Sequence, residues 1–368
     1  MIMKKSYSFL MAAALMAGSL TSCTVNDDIQ TKSDNQGLKE IKFSAGDITR
    51  GEVYTSTAAP SDILVYAFKN ASPATSYIDG ATFTQTTGTY SCATTYYWPT
   101  GTDDADKLNF LALYPKELKS SSNFTAPTDA KTFSYIASTT LSEQYDVMAA
   151  LAEEQLSTTS SGNVSLAFGH LLSQILFTGY VEEAANLKVA IKSISLHNIK
   201  TTGNATTGTA LTAQSAIDTY TVTFDAAKEL GEDADSPTEL TSSSSNALLL
   251  IPQTGTAWNG TDAISTNDGE SGAKGSYIEV ELTAQNKTNN DYVVGSSDSP
   301  AKVYFPLTPN WTASKRHAYK LHFGDKTGGT DGVGKKDDGT KEVINATAIT
   351  LTATVTDWTD AEASTIDF

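Results

Sequence analysis

Four histidines are the side chains of this 368-residue chain best suited to metal binding or proton transfer: His170, His197, His317 and His322. No pair has the His-Glu-x-x-His spacing of zinc enzymes, and His317 and His322, five apart, fall on opposite faces of a strand. The chain has two cysteines, Cys23 and Cys92, and Cys23 belongs to the N-terminal targeting segment described below. Cys92 is then the one cysteine left, and a single cysteine supports neither a disulfide framework nor a cysteine-based zinc site. We predict no metal site and no cofactor.

Other chemistry-bearing patterns are incomplete. Asp103, Asp104 and Asp106 could supply oxygen ligands to calcium, but the Gly and terminal Glu of a twelve-residue calcium loop are missing. These aspartates indicate a solvated hairpin turn. The Gly-Val-Gly at 332–334 lacks the flanking strand and helix of a nucleotide fold, and no G-x-S-x-G nucleophile motif is present. We predict no catalytic residue and no enzyme, although paired carboxylates leave no local mark.

Arg50 is one of only two arginines in the chain. It lies in the Gly- and Thr-rich turn of FSAGDITRGEVYTS (43–56), after a strand-like run. It is either an ordinary solvated charge or the target of an arginine-specific protease. Arg316 falls at the start of a predicted strand, and the polar loops 231–246 and 324–340 carry no arginine. A chain that is cut at one place must lack the target residue in its other loops.

Composition narrows the possible partners. The net charge is −17 and only 18% of residues are charged, while Ser and Thr are abundant. Such acidity repels nucleic acid and anionic membranes, so we expect no nucleic-acid partner. The composition is typical of β-rich extracellular proteins. The length is that of two domains or of one large domain.

The N-terminus is predicted to be a targeting signal. Two lysines precede a short apolar run at 9–20, too short for a membrane span, which ends in Leu-Thr-Ser-Cys at 20–23. This ending resembles the bacterial lipobox and predicts a lipoprotein signal peptide over 1–22 with Cys23 acylated. The alternative is a plain secretory signal with a chance cysteine. Residues 23–39 are polar and are expected to form a flexible tether.

Strand patterns recur along the rest of the chain. DILVYAFKN (62–70) is apolar on both faces, as in a central strand, whereas YIEVELT (277–283) alternates strictly. Many short runs of this kind predict an all-β sandwich. Residues 145–155 are the one stretch with helix-favouring composition. A charged, small-residue break at 181–188 predicts domains at 40–184 and 185–368.

Several segments, taken together, resemble the fimbrillin-like (Mfa-like) proteins of Bacteroidetes, which are subunits of type V pili. They occur in the family's order and cover nearly the whole chain. The segments are the lipobox at Cys23, IKFSAGDITRG (41–51), DILVYAFKN (62–70), YYWPTGTDDADKLNFLALYP (96–115), LAFGHLLSQILF (166–177), ALLLIPQT (247–254), YFPLTPNWTASKRHAYKLHF (304–323) and VTDW (355–358).

The resemblance implies two tandem transthyretin-like (Greek-key) β-sandwich domains. It also implies a lipoprotein that is carried to the outer membrane and cell surface and cut between Arg50 and Gly51. The cut frees the first strand, for which Ile41 and Phe43 are the apolar anchors. An extended segment of a neighbouring subunit then fills the groove, so the expected partners are other pilus subunits in a head-to-tail polymer.

The candidate donor strand is the C-terminal tail, where Ile366 and Phe368 are spaced by two; the alternative is a frayed terminus. The resemblance thus predicts a non-enzymatic structural or adhesive subunit of a fimbrium, with host or bacterial surface ligands. Two alternatives stay open: a non-polymerising surface lipoprotein that binds glycans or host protein, and a surface hydrolase. Stalk, tip and anchor roles are not distinguished.

Overall fold

The computed structural model of the chain describes residues 38–45, 60–158, 162–242, 246–260, 262–264, 275–325 and 347–357. Strands dominate these residues, which confirms the all-β prediction. Within them, no helix is long and apolar enough to cross a membrane.

The strands are numbered in chain order. They are β1 (Lys42–Ala45), β2 (Asp62–Lys69), β3 (Ser72–Thr86), β4 (Thr89–Cys92), β5 (Leu108–Tyr114), β6 (Phe124–Thr125), β7 (Phe133–Ile136), β8 (Met148–Gln155), β9 (Asn163–Leu166), β10 (Gly169–His170), β11 (Ser173–Val181), β12 (Leu187–Lys200), β13 (Thr202–Ala205), β14 (Leu211–Ala213), β15 (Ile217–Glu229), β16 (Thr238–Glu239), β17 (Leu248–Leu250), β18 (Gln253–Thr254), β19 (Tyr277–Asn286), β20 (Tyr292–Val294), β21 (Ala301–Pro306), β22 (Asn310–Trp311), β23 (Lys315–Asp325) and β24 (Thr347–Asp357). Short 3-10 turns occupy Asp104–Asp106, Lys116–Ser120, Leu141–Glu143 and Glu183–Ala185.

The first half of the chain forms an eight-stranded sheet in the order β10-β8-β5-β2-β3-β4-β1-β9. Its neighbouring strands are antiparallel except for β1 and β9, which are parallel. One face buries a cluster that we call the N-terminal core. Its members are Ile41, Phe43, Ile63, Val65, Ala67, Tyr77, Ile78, Phe83, Tyr90, Trp98, Leu108, Phe110, Ala112, Met148, Ala150, Val164, Leu166 and Phe168.

The packing of β2 explains why its sequence is apolar on both faces. Ile63 and Val65 point into the N-terminal core, whereas Leu64 and Tyr66 point into a second, larger cluster on the opposite face. A strand covered on both sides has no solvent face to make polar. The prediction of a central strand over 62–70 is therefore confirmed.

The helix-favouring stretch 145–155 is a strand, β8, and that expectation was wrong. Ala149 and Ala150 pair with Leu113 and Ala112 of β5, and both alanines are fully buried. Pairing inside the sheet outweighs the modest helix propensity of Ala and Glu, which is worth only tenths of a kcal/mol per residue.

Both halves contribute to the remaining sheets. Strand β11 precedes the predicted boundary at 184, yet it pairs in parallel with β23 and antiparallel with β16 and β17. Likewise β7 pairs with β13, in a sheet of order β14-β13-β7-β6. The larger cluster spans both halves. The division at 184 and the transthyretin-like topology stay predictions.

The C-terminal half shows the predicted alternation. In the sheet β15-β12-β19, with β20 and β21 also paired to β19, Ile278, Val280 and Leu282 are fully buried. Glu279 and Glu281 lie between them on the other face, only half-buried. A single buried face on each strand fixes the register, because a one-residue slip would turn these apolar side chains outward.

Candidate functional site

Strand β1 is held along both edges by hydrogen bonds and strand pairing. On one side it is antiparallel to β4, with Phe43 opposite Tyr90. The same side continues past β4, because Ile41 N donates to Tyr96 O and Trp98 N donates to Lys39 O, each at 2.9 Å. On the other side β1 runs parallel to β9 in four consecutive pairs. The strand thus joins β4 and β9, which are not paired with each other in the described part of the chain.

Two apolar side chains are plugs in the N-terminal core: Phe43 of β1 and Ile41, which directly precedes β1. Ile41 is 1% exposed and Phe43 is 0% exposed. The Phe43 ring meets Phe83 edge-on at 4.9 Å and Phe110 at 5.1 Å between centroids. Edge-to-face pairs of this kind stabilise beyond the area they bury. Trp98 closes the cluster with its own edge contact to Phe110 at 5.6 Å.

The outward side chains of this segment make weaker contacts. Lys39 Nζ donates to Ser157 O at 2.6 Å, across the turn that leads to β9. Lys42 is exposed and lies 3.1 Å from Glu40. Solvent-facing ion pairs contribute about 0–1 kcal/mol. The plugs and the two backbone ladders therefore account for most of what holds β1.

Tyr90 of β4 holds the backbone at Pro60, two residues before β2 begins. Its hydroxyl donates to Pro60 O at 2.7 Å. Burial and the nearby charge of Asp62 raise the pKa of Tyr90 to about 12, so the donor stays neutral at physiological pH. Hydrogen bonds from Lys116 and Thr84 hold the pKa of Asp62 below its usual range.

The structure brings together only part of the predicted site. Ile41 and Phe43 lie in one core, as expected of anchors. Cys23, Arg50, Gly51, Ile366 and Phe368 fall outside the described residues, and their roles stay predictions. Sequence reasoning missed Phe83, Phe110 and Val164, which pack with the anchors. The available signals were the apolar run of β5 and the alternation of β9.

Arg316, the second arginine, lies near the start of β23 as predicted. Its strand is paired with β11 on one side and β24 on the other. Its Nε donates to Gln174 Oε1 at 2.7 Å. A protease must bind its substrate in extended form, so a backbone already paired on both edges is a poor target.

The histidines are dispersed over the fold. His170 contacts Asp146 at 2.8 Å, His322 contacts Glu182 at 2.8 Å, and His197 stacks on Tyr277. Burial lowers the pKa of His317 to about 4. Among the described residues, no three His, Cys, Asp or Glu side chains lie close enough together to hold a metal.

Three further observations concern single residue types. Cys92 is the last residue of β4 and is half-buried, and burial raises the pKa of its thiol. Trp98, Trp258 and Trp311 are each at most 3% exposed and belong to cores. The stretch with three aspartates forms an exposed 3-10 turn.

Solved structures that are similar to this chain include bacterial fimbrial proteins. A fimbrial protein from Bacteroides vulgatus superposes with a TM-score of 0.56 at 15% identity, over 87% of this chain and 99% of that one. The tip fimbrial protein of Porphyromonas gingivalis, C-terminally truncated, gives 0.38 at 10% identity, over 87% of this chain and 100% of that one. The fimbrial anchor protein of the same organism gives 0.33 at 10% identity, over 87% and 98%.

The sequence comparisons are complementary. No curated protein sequence matches the chain. The family model described as fimbrillin-like matches residues 49–358, most of the chain. The match covers β2 to β24 and therefore includes β4 and β9, the two strands that pair with β1. The chain belongs to the fimbrillin-like family.

Proposed function

We propose that this protein is a non-enzymatic pilus subunit that is exported as a lipoprotein acylated at Cys23, cut after Arg50, and assembled by strand exchange at the β1 position. One observation carries the proposal. The four-residue strand β1 is paired on both edges and carries Phe43, and Ile41 directly precedes it. Both side chains are buried in the N-terminal core, and the only arginine outside β23 follows β1 by five residues.

Loss of β1 would leave an apolar slot in the sheet. Each plug contributes about 1.5–3 kcal/mol by burial, and this is forfeited when the strand departs. The departure also unpairs the edges of β4 and β9, because β1 alone joins them. An exposed strand edge beside empty apolar pockets binds an extended segment by adding a strand.

The C-terminal tail carries the same plugs as β1. Ile41-Lys42-Phe43 and Ile366-Asp367-Phe368 place identical apolar residues two apart, with a charged residue between them. In a strand the outer two would face the core and the middle one the solvent. We therefore assign Ile366 to the Ile41 position and Phe368 to the Phe43 position of the next subunit.

Repetition of this contact would produce a filament. The groove and the tail are different surfaces of one chain, so the contact is heterologous and leaves one of each free at the two ends. The lipid at Cys23 would hold the uncut precursor at the outer membrane. Cleavage after Arg50 would remove the lipid together with β1.

The first experiment is mass spectrometry of the mature N-terminus on cells, with SDS-resistant ladders as the assembly readout. We expect Gly51 as the first residue. Arg50→Lys keeps the charge and removes the arginine; it should leave acylated Cys23 at the N-terminus and abolish ladders. Ladders formed by R50K at the parental level would overturn arginine-specific maturation.

Tail variants separate donation from cleavage. Phe368→Asp should abolish self-ladders while Gly51 remains the first residue, because a charge cannot enter the aromatic pocket of Phe43. Asp367→Asn, with its side chain facing solvent, is the matched control and should assemble normally. If F368D polymerises like the parent, another segment donates the strand. Cys23 at the N-terminus with β1 retained would instead support a non-polymerising surface lipoprotein.

A further inference from the structure

A concave pocket lies in the C-terminal half, and no residue of β1 lines it. Its volume is about 410 Å³, within the range of roughly 300–1,000 Å³ typical of small-molecule pockets. Strands β12, β15 and β18 form its walls together with residues 254–256 and Ser276. None of its eight lining residues is acidic, in a chain with 42 acidic and 25 basic residues.

A bulge in β12 lies at the wall of this pocket. The register of β12 against β15 shifts between Leu196 and Ile199, and Asn198 adopts a left-handed backbone with φ 58°. Asn198 Nδ2 donates to Gly275 O, and Ser276 Oγ donates to Asn198 O, both at 3.0 Å. Bulges and non-glycine residues in this conformation concentrate at functional sites because they re-aim side chains.

The floor of the pocket is rigid. The Gln253 side chain is 6% exposed and replaces a strand partner for Lys200. Its Oε1 accepts from Lys200 N at 2.9 Å, and its Nε2 donates to Lys200 O at 3.1 Å and to Ile251 O at 3.0 Å. With these bonds made, Gln253 fixes the backbone from which the Lys200 side chain projects.

Two side chains with different chemistry face the opening together. Lys200 and Ile217 are directly opposed on β12 and β15, so their side chains lie on the same face. Lys200 Nζ is 3.4 Å from Thr254 O, a long contact that leaves the ammonium able to pair with an anion. Ile217 is 37% exposed, and the exposed Thr254 and Thr256 stand at the rim.

We propose that this pocket binds an acidic sugar, a hexose-sized ring that carries a carboxylate. Lys200 pairs with the carboxylate, the threonine hydroxyls and the Asn198 amide meet ring hydroxyls, and Ile217 covers the apolar face of the ring. A single cation beside neutral polar groups suits one carboxylate on a hydroxylated body better than a polyanion. The site is independent of strand exchange, since β1 contributes nothing to it.

The test is titration calorimetry of the full chain purified from cells. The probes are N-acetylneuraminic acid and glucuronic acid, with glucose and acetate as comparison ligands. We expect the acidic sugars to bind and to weaken at high salt. Lys200→Gln should weaken binding roughly two- to fivefold, as expected for a partly exposed ion pair. Ile217→Glu brings a carboxylate to the same face as Lys200 and should abolish binding of the acidic sugars.

Lys192→Gln is the matched control, because Lys192 is on the same strand and also donates to a backbone carbonyl, Phe224 O at 3.1 Å. It should bind like the parent, and thermal unfolding should confirm that all variants are folded. Equal losses in K192Q and K200Q, or no heat with either acidic sugar, overturn the proposal. If glucose binds as tightly as glucuronic acid, Lys200 does not recognise a carboxylate and the proposal is wrong. If acetate binds as tightly as glucuronic acid, the pocket does not recognise the sugar ring and the proposal is also wrong.

Discussion

Strands β1 and β11 both lie between a parallel and an antiparallel neighbour, but they are held in different ways. Each lies between neighbours and pairs in parallel with one of them, β1 with β9 and β11 with β23. The pairing of β1 covers four positions, whereas that of β11 covers eight. Short parallel ladders are among the weaker forms of strand pairing.

Side-chain hydrogen bonds increase the difference. Ser173 Oγ of β11 donates to Thr312 O, Phe177 N donates to Thr241 Oγ1, and Gln174 accepts from Arg316, all at 2.7 Å. The short segment 41–45 carries two buried apolar side chains, Ile41 and Phe43, and one exposed lysine that pairs with Glu40. The side chains that hold β1 are therefore few and apolar, while β11 depends on hydrogen-bonding side chains specific to its own position.

The largest expected effect comes from the plug itself. Phe43→Ala should destabilise the uncut chain by about 3–5 kcal/mol, because it empties a fully buried aromatic site. The matched variant is Phe177→Ala on β11, which is equally buried and should lose a similar amount. Urea unfolding followed by fluorescence measures both.

After cleavage at Arg50, we expect the Phe43 and Phe177 variants to differ in stability. Once β1 has been released, Phe43→Ala should unfold at the same urea concentration as the cleaved parent, since neither retains residue 43. The Phe177→Ala deficit should persist. If the F43A deficit survives removal of the N-terminal segment, β1 is not the strand that leaves.

The second expected effect makes the β11 side sensitive to acid. His317 of β23 lies opposite Ile175 of β11, and burial lowers the pKa of His317 to about 4, with nearby Lys315 adding to the shift. The unfolded imidazole titrates near pH 6.5, so between about pH 6.5 and 4 the unfolded state binds the extra proton. Stability should therefore be full above about pH 6.5 and fall by about 3 kcal/mol as the pH drops to 4.

His317→Gln tests this assignment and keeps an acceptor for Thr312 N, which lies 3.4 Å from the imidazole Nε2. The stability difference between parent and H317Q should be constant above pH 7 and should change only as the pH falls. Urea unfolding across this pH range measures the slope. An unchanged slope in H317Q would show that other groups cause the acid sensitivity.

The sequence was informative where local pattern decides structure. Strict alternation predicted the buried face of β19, and the two-sided apolar run predicted β2 as a central strand. It failed at β8, because Ala and Glu favour a helix locally and only pairing with β5 makes a strand. The partners of Phe43 are set by long-range pairing, so the spacing of Ile41 and Phe43 predicted anchors but could not indicate Phe83 or Phe110.

The smallest expected effect concerns how firmly β1 is held before exchange. Lys39→Met keeps the aliphatic stem and removes the hydrogen bond from Lys39 Nζ to Ser157 O. Because the lysine is exposed, the uncut chain should lose roughly 0.5–1 kcal/mol. After cleavage at Arg50, β1 should leave several times faster, as measured by the rate at which its peptide appears in mass spectra. Lys42→Met is the control, because it removes only the ion pair with Glu40, and it should release β1 at nearly the parental rate. Equal acceleration in both variants would mean that the loss of positive charge, and not the loss of the hydrogen bond from Lys39 to Ser157, speeds the release of β1.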